Sequence, residues 1–185
     1  MWGESDGDHQ TFGTLEPRDV LGAYDFMRAR GYAPESMLVI GISTGGEALL
    51  EAARDLPRAG ALVVDSAPAD TSSLILPRVH ERLPPSFDPG IIAAAGVLFG
   101  LDIELRPIDR VKQLRDRAFL FIVCDADDYV SPQNSDRLRR ASSNPESQLV
   151  RIHCRKHVST YKTDRASYLA ALSAFTVRQI DERGG

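Results

Sequence analysis

The segment Met37-Leu38-Val39-Ile40-Gly41-Ile42-Ser43-Thr44-Gly45-Gly46 decides the fold of this chain. Its first four residues are a continuous apolar run, which is typical of a strand buried on both faces of a parallel sheet. The alanine- and leucine-rich stretch that follows, residues 47–54, predicts a helix. The segment therefore predicts a strand, a tight glycine-rich turn and a helix.

The alternation of strand and helix continues along the chain. Further apolar runs predict strands at residues 61–64, 118–123 and 148–153. Helices are predicted at residues 14–30, 131–140 and 165–179, the first with Thr14 as N-cap and the second opened by Ser131-Pro132. This order predicts an α/β fold in three layers, with a mostly parallel sheet of about four strands, and residues 1–185 form one domain.

The middle of the chain, residues 66–117, is broken by several prolines and is predicted to be irregular. We expect one or two short helices near residues 91–99. The apolar stretch 91–101 is compatible with the wall of an acyl pocket, with a lid or with a plain packed helix. The segment is therefore interpreted as a lid- or pocket-like part of the domain.

Ser43 is the centre of a Gly-x-Ser-x-Gly pattern at a strand-to-helix junction. A nucleophilic serine needs a sharp, strained turn, and the small residues Gly41, Gly45 and Gly46 allow strand and helix to approach closely. The Thr44 N–H, at the start of the helix, would face a developing oxyanion. The alternative is a glycine-rich turn that only packs tightly. A phosphate loop is disfavoured because no Lys-Ser/Thr pair follows the glycines.

Acids and a histidine follow the later strands, whose carboxyl ends meet at one edge of a parallel sheet. His157 comes after the fourth predicted strand, so the chain order is serine, acid, histidine. In a catalytic triad the histidine takes the serine proton, and the acid orients the imidazole ring. The spacing leaves four choices for the acid: Asp127, its neighbours Asp125 and Asp128, and Asp65 after the second strand.

These motifs resemble the α/β-hydrolase superfamily of serine hydrolases, especially its bacterial esterase and peptidase-like branches. Residues 41–46 resemble the nucleophile elbow, and residues 120–132 resemble the acid loop, with Val123 and Cys124 where the family has His-Gly. His157 and the residues after it resemble the histidine loop. The resemblance implies Ser43 as nucleophile, Asp127 as acid and His157 as base. It also implies an acyl-enzyme that hydrolyses a carboxylic ester, thioester or amide, without a metal or organic cofactor.

Residues 2–7 resemble the Gly-His-Gly-x-Ser segment after the family's fourth strand, with Trp2 at the histidine position. This implies that the chain begins after that strand. The second oxyanion donor must then come from residues 1–13 or from a partner. Residues 37–42 become an exposed apolar edge that invites a second copy of the chain. An impaired or non-catalytic domain that associates through this edge is the alternative function.

Composition excludes several other classes. The chain has 185 residues and a net charge of −4, without a basic run, which argues against nucleic-acid and anionic-membrane partners. The family resemblance implies a small-molecule acyl substrate instead. We find no apolar run of membrane-spanning length and no signal peptide. Two cysteines predict buried free thiols and a cytoplasmic location. A metal site at His153, Cys154 and His157 is disfavoured because no second ligand pair accompanies it.

Overall fold

The structure is a computed structural model that describes residues 9–56 and 59–180. Four strands pair in parallel in the order β1-β2-β3-β4. Their bounds are Leu38–Ile42 for β1, Ala61–Asp65 for β2, Phe119–Cys124 for β3 and Gln148–Ile152 for β4. The predicted α/β class with a parallel four-stranded sheet is therefore confirmed. Residues 2–7, predicted to correspond to the Gly-His-Gly-x-Ser segment, lie outside the described residues.

The α-helices of the described ranges connect and cover these strands. They are α1 (Pro17–Ala29), α2 (Thr44–Ala52), α3 (Ser72–His80), α4 (Asp88–Phe99), α5 (Pro107–Gln113), α6 (Gln133–Ala141), α7 (Thr160–Thr163) and α8 (Arg165–Ile180). The first helix begins at Pro17 rather than after Thr14, because proline suits the first turn of a helix, and the Thr14 hydroxyl instead accepts a hydrogen bond from the Asp102 N–H.

The two faces of the sheet pack into two apolar layers. On one face, helices α1, α2, α5 and α6 cover Leu62, Phe119 and Phe121. On the other face, α8 packs Tyr168 and Phe175 against the alternate residues of the strands. Every residue of β2 and β3 is buried, which explains why their sequences are apolar runs, with Asp65 at the end of β2 as the exception. The carboxyl ends of the strands are thereby held at one edge.

Strand β1 is an edge of the described sheet. Leu38, Ile40 and Ile42 pair with residues on the α8 side of β2, yet they remain 38–41% exposed. Burial on both faces is therefore wrong for this strand: α8 packs against β2 and β4, while the side chains on the same face of β1 stay partly exposed. The exposed apolar edge that the family resemblance implies is present among the described residues.

The middle segment is more regular than predicted. Residues 66–117 hold three α-helices, of which α3 and α5 were not predicted. The prolines Pro89 and Pro107 lie in the first turns of helices, where they do not break them. Helix α4 is almost entirely apolar but buries only Ala95, and Val97 is 85% exposed. A plain packed helix is therefore wrong for α4, whereas the lid- or pocket-like role stays a prediction.

Cys124 ends β3, and Cys154 follows β4. The parallel register brings the ends of these neighbouring strands together, with Cys124 opposite Ile152. The Cα atoms of the two cysteines lie 5.1 Å apart, and their sulfur atoms are joined in a disulfide. The prediction of two free thiols is therefore wrong, and the cytoplasmic location that depended on it stays a prediction. Across residues 9–56 and 59–180, every helix is too short or too polar to cross a bilayer.

Candidate active site

The turn between β1 and α2 holds Ser43 in a strained conformation. Its φ is +54°, a region that costs a non-glycine residue about 1–3 kcal/mol. A Cβ on Gly41 would lie 2.4 Å from the Gly45 carbonyl oxygen, and one on Gly46 would lie 2.6 Å from the Ala67 Cβ. A Cβ on Gly45 meets no described atom within 4 Å. The close approach of strand and helix therefore requires glycine at positions 41 and 46.

Ser43, His157 and Asp127 form a hydrogen-bonded row. The Ser43 Oγ lies 2.7 Å from His157 Nε2, and His157 Nδ1 lies 2.8 Å from Asp127 Oδ2. An ionised carboxylate only accepts hydrogen bonds, so Nδ1 carries the ring proton and Nε2 accepts from the serine hydroxyl. This is the tautomer in which histidine can take up a proton from the serine.

Backbone N–H groups of its own loop hold the Asp127 side chain in place. The Asp127 side chain is fully buried, and its Oδ1 accepts hydrogen bonds from the N–H groups of Tyr129 (2.8 Å) and Val130 (2.9 Å). Burial alone would raise the pKa of Asp127, but the bonds from His157 and from these N–H groups outweigh it and lower the pKa below its ordinary value. Asp127 therefore stays ionised beside the imidazole.

The alternative acids lie close to the row but bond elsewhere. Asp125 accepts from His153 Nδ1 at 2.9 Å, and Asp128 accepts from the backbone N–H of His157 at 3.1 Å. Asp65 is buried and accepts from the hydroxyls of Ser66 and Thr160, and its burial raises its pKa. Among the described aspartates, Asp127 is therefore the one that meets the His157 ring.

The metal alternative finds no support in the geometry. The exposed His153 ring faces Asp125, His157 faces Ser43, and Cys154 is in the disulfide. The part of the chain that the structure describes contains no group of three or more histidine, cysteine or acidic residues placed to bind a metal ion.

No protein-family model and no curated protein matches the amino-acid sequence. Solved structures do match. An esterase domain from Rhodothermus marinus is 24% identical, with a TM-score of 0.61 over 90% of this chain and 70% of the other. The Pyrococcus furiosus esterase Pf2001 is 16% identical, with a TM-score of 0.70 over 96% and 67%. The α/β hydrolase GrgF from Penicillium is 14% identical, with a TM-score of 0.69 over 97% and 77%.

This chain has a partial α/β-hydrolase fold. In such a fold the turn after the serine strand leads into a helix whose first N–H groups have no partner within the helix. Here that helix is α2, and Thr44 is its first residue. The Thr44 N–H follows Ser43 directly, at the end of α2 where the helix dipole favours negative charge.

Gln10 lies next to this helix start, although sequence reasoning did not single it out. Its Nε2 donates a 2.6 Å hydrogen bond to the Thr44 Oγ1. Tyr129 is a second residue of the site that sequence reasoning missed. Its ring centroid lies 5.1 Å from that of the His157 ring. No spacing pattern links either residue to Ser43, because both contacts form only when distant segments of the α/β-hydrolase fold come together.

Glu47 is a buried acid on α2, behind the serine turn. Its Oε1 accepts a 2.9 Å hydrogen bond from the Thr71 hydroxyl, and its Oε2 has no partner among the described residues. Burial, helped by the nearby acids Glu16, Asp70 and Glu51, raises the pKa of Glu47 to about 8. The folded chain therefore keeps a proton on Glu47 at neutral pH.

The Glu47 proton makes stability depend on pH. An unfolded glutamic acid loses its proton near pH 4.5, whereas the folded state keeps it up to about pH 8. We therefore expect the free energy of unfolding to fall as pH rises through this window, by up to about 1.4 kcal/mol per pH unit. Denaturant unfolding of Glu47→Gln should show a flatter slope than wild type. Glu81→Gln, at an exposed position, is the control, and equal slopes in all three proteins would contradict the prediction.

Proposed function

We propose that the chain is a serine hydrolase that cleaves a carboxylic ester, thioester or amide through an acyl-enzyme. The observation that carries the proposal is the row Ser43–His157–Asp127, with contacts of 2.7 and 2.8 Å and the serine on a strained turn. The esterases with the same fold agree with this reaction class.

The first half of the reaction acylates the serine. The Ser43 Oγ attacks the acyl carbon while its proton passes to His157 Nε2, so an O–C bond forms and the carbonyl oxygen becomes an oxyanion. The Thr44 N–H donates to that oxyanion, and Asp127 stabilises the imidazolium. When the intermediate collapses, the bond to the leaving group breaks and the leaving group takes the proton from His157.

The second half regenerates the enzyme. His157 Nε2 takes a proton from water, and the resulting hydroxide bonds to the acyl carbon. Collapse of this second intermediate breaks the bond to Ser43 Oγ, which recovers its proton from His157. The net reaction consumes one water and releases an alcohol, thiol or amine and a carboxylic acid, so that no redox partner is required.

Labelling with a fluorophosphonate probe tests this proposal. The probe reacts covalently with an activated serine, so the intact chain should be labelled and Ser43→Ala should not. Ser173→Ala, at an exposed position on α8, is the matched control and should be labelled as fast as wild type. A folded chain that is never labelled would refute the proposed function.

The second oxyanion donor is proposed to be Gln10. Its side-chain amide carries two N–H bonds, and the contact with Thr44 Oγ1 uses one of them. The amide has a second N–H besides the one in that contact, and glutamine side chains can serve as oxyanion donors.

Replacing Gln10 tests its role as a donor. Gln10→Glu keeps the size of the side chain but removes its N–H groups, so we expect kcat to fall by about 10²–10³ while KM changes little. Gln113→Glu, at an exposed position of α5, is the control. A loss confined to KM, or to thermal stability, would show that Gln10 does not stabilise the transition state.

Association of two copies through the β1 edge is a separate proposal, compatible with hydrolysis. It is supported by the apolar, partly exposed side chains Leu38, Ile40 and Ile42. We expect a dimer in size-exclusion chromatography with light scattering, and a monomer after Ile40→Lys. Val97→Lys, on the exposed helix α4, should leave the dimer intact. A monomeric wild type, or a dimer broken by Val97→Lys alone, would contradict association through this edge.

A further inference from the structure

A cavity of about 480 Å³ lies between α3 and the acid loop. One face of α3 and the residues just after it supply most of its wall, at positions that repeat every turn. The apolar members of this face are Leu74, Ile75, Val79 and Leu83. Leu101 adds a further apolar side chain to the wall. The cavity is therefore suited to an aliphatic chain.

The cavity adjoins the proposed catalytic residues. Tyr129 lines it, and the Tyr129 ring also contacts His157 with ring centroids 5.1 Å apart. Phe12 lines it as well, two residues after Gln10, which bonds to Thr44. The cavity therefore lies next to the proposed site, with Tyr129 in contact with both.

Two cations lie in this otherwise apolar wall. Arg78 and Arg82 are four residues apart, so they share one side of the helical segment. The Arg78 guanidinium lies 3.8 Å from the Tyr129 ring centroid and donates to the carbonyl oxygens of Leu74 and Tyr129. Across residues 9–56 and 59–180, neither arginine forms an ion pair with a carboxylate. Their charges are therefore available to an anion.

We propose that this cavity binds the acyl part of the substrate, and that the acyl part is an aliphatic chain ending in a carboxylate. This inference rests on the proposed hydrolase function. The apolar wall holds the methylene groups, and a guanidinium pairs with the terminal carboxylate, a contact that is stronger than a neutral hydrogen bond. The preferred substrates are then half-esters of dicarboxylic acids, and water cleaves them to a dicarboxylate and an alcohol.

Paired chromogenic substrates test the proposal. Mono-para-nitrophenyl adipate and para-nitrophenyl hexanoate have acyl chains of equal length and differ in the terminal carboxylate. We expect wild type to favour the adipate ester at least tenfold in kcat/KM, a preference that added salt reduces. Arg82→Gln should abolish most of this preference, and Arg82→Lys should restore part of it. Arg140→Gln, at an exposed position on α6, should keep it.

The outcomes separate this inference from the proposed function. Hydrolysis of both esters at equal kcat/KM, or an equal loss for both in Arg82→Gln, overturns the inference and leaves the hydrolase proposal intact. If neither ester is hydrolysed and no probe labels Ser43, the function fails. In that case the anion-binding role of the cavity is tested by measuring the binding of adipate to Ser43→Ala by calorimetry. Binding that Arg82→Gln weakens at least tenfold supports an anion-terminated ligand, and absence of binding overturns it.

Discussion

Replacing His157 with glutamine is expected to lower kcat/KM for ester hydrolysis by roughly 10⁶, about the loss that follows removal of one essential member of such a triad. Glutamine cannot take the Ser43 proton and return it to a leaving group, so both halves of the reaction lose their proton carrier. The fold should survive, because the His157 side chain is partly exposed and contacts the site rather than the core.

His153 provides the matched control for this variant. It lies four residues earlier, its side chain is 90% exposed, and its ring bonds to Asp125 instead of to Asp127 or Ser43. His153→Gln should therefore hydrolyse para-nitrophenyl esters at nearly the wild-type rate. Circular dichroism should show both variants folded. Comparable losses in the two variants, or substantial activity in folded His157→Gln, would contradict the role proposed for His157.

The interior of the sheet was predictable from sequence, because strands β2 and β3 are buried on both faces and, apart from the buried Asp65 at the end of β2, consist of apolar residues. The same rule misjudged β1. Its sequence is equally apolar, but burial is decided by what lies beside a strand, and the described residues put no helix over Leu38, Ile40 and Ile42. A local pattern can specify a strand without specifying its neighbours.

The middle segment, residues 66–117, was predicted wrongly for a related reason. Its prolines suggested interruption, yet Pro89 and Pro107 lie in helix first turns, where the absent N–H costs nothing. The prediction of free thiols rested on the number of cysteines, which takes no account of the strand register that brings Cys124 and Cys154 together.

Motif order placed three candidate side chains at one sheet edge, but spacing could not choose among neighbouring aspartates. The family resemblance favoured Asp127, whose side chain meets the His157 ring. Gln10, Tyr129 and Arg78 carry no sequence signal at all. They reach the site through contacts between segments far apart in the chain, so only the folded arrangement identifies them.

Replacing Asp127 with asparagine is expected to lower kcat by about 10⁴. The asparagine Nδ2 can donate to His157 Nδ1, which favours the ring tautomer with its proton on Nε2. That proton occupies the position that must accept from Ser43 Oγ, so the nucleophile loses its base although all side chains keep their places. The two N–H groups that bond to Oδ1, those of Tyr129 and Val130, can still bond to the asparagine oxygen.

The variants Asp125→Asn and Asp128→Asn test which of the three neighbouring aspartates orients the His157 ring. Asp125 bonds to His153, and Asp128 bonds to the His157 backbone, so neither variant changes the tautomer of the His157 ring. Both should keep kcat within about tenfold of wild type, because they alter loop contacts and not the proton pathway. A 10⁴ loss in one of them, with Asp127→Asn near wild type, would assign the acid role to that neighbour. Equal moderate losses in all three would mean that the loop acts through its shape, since removal of a single orienting carboxylate must affect one position far more than the others.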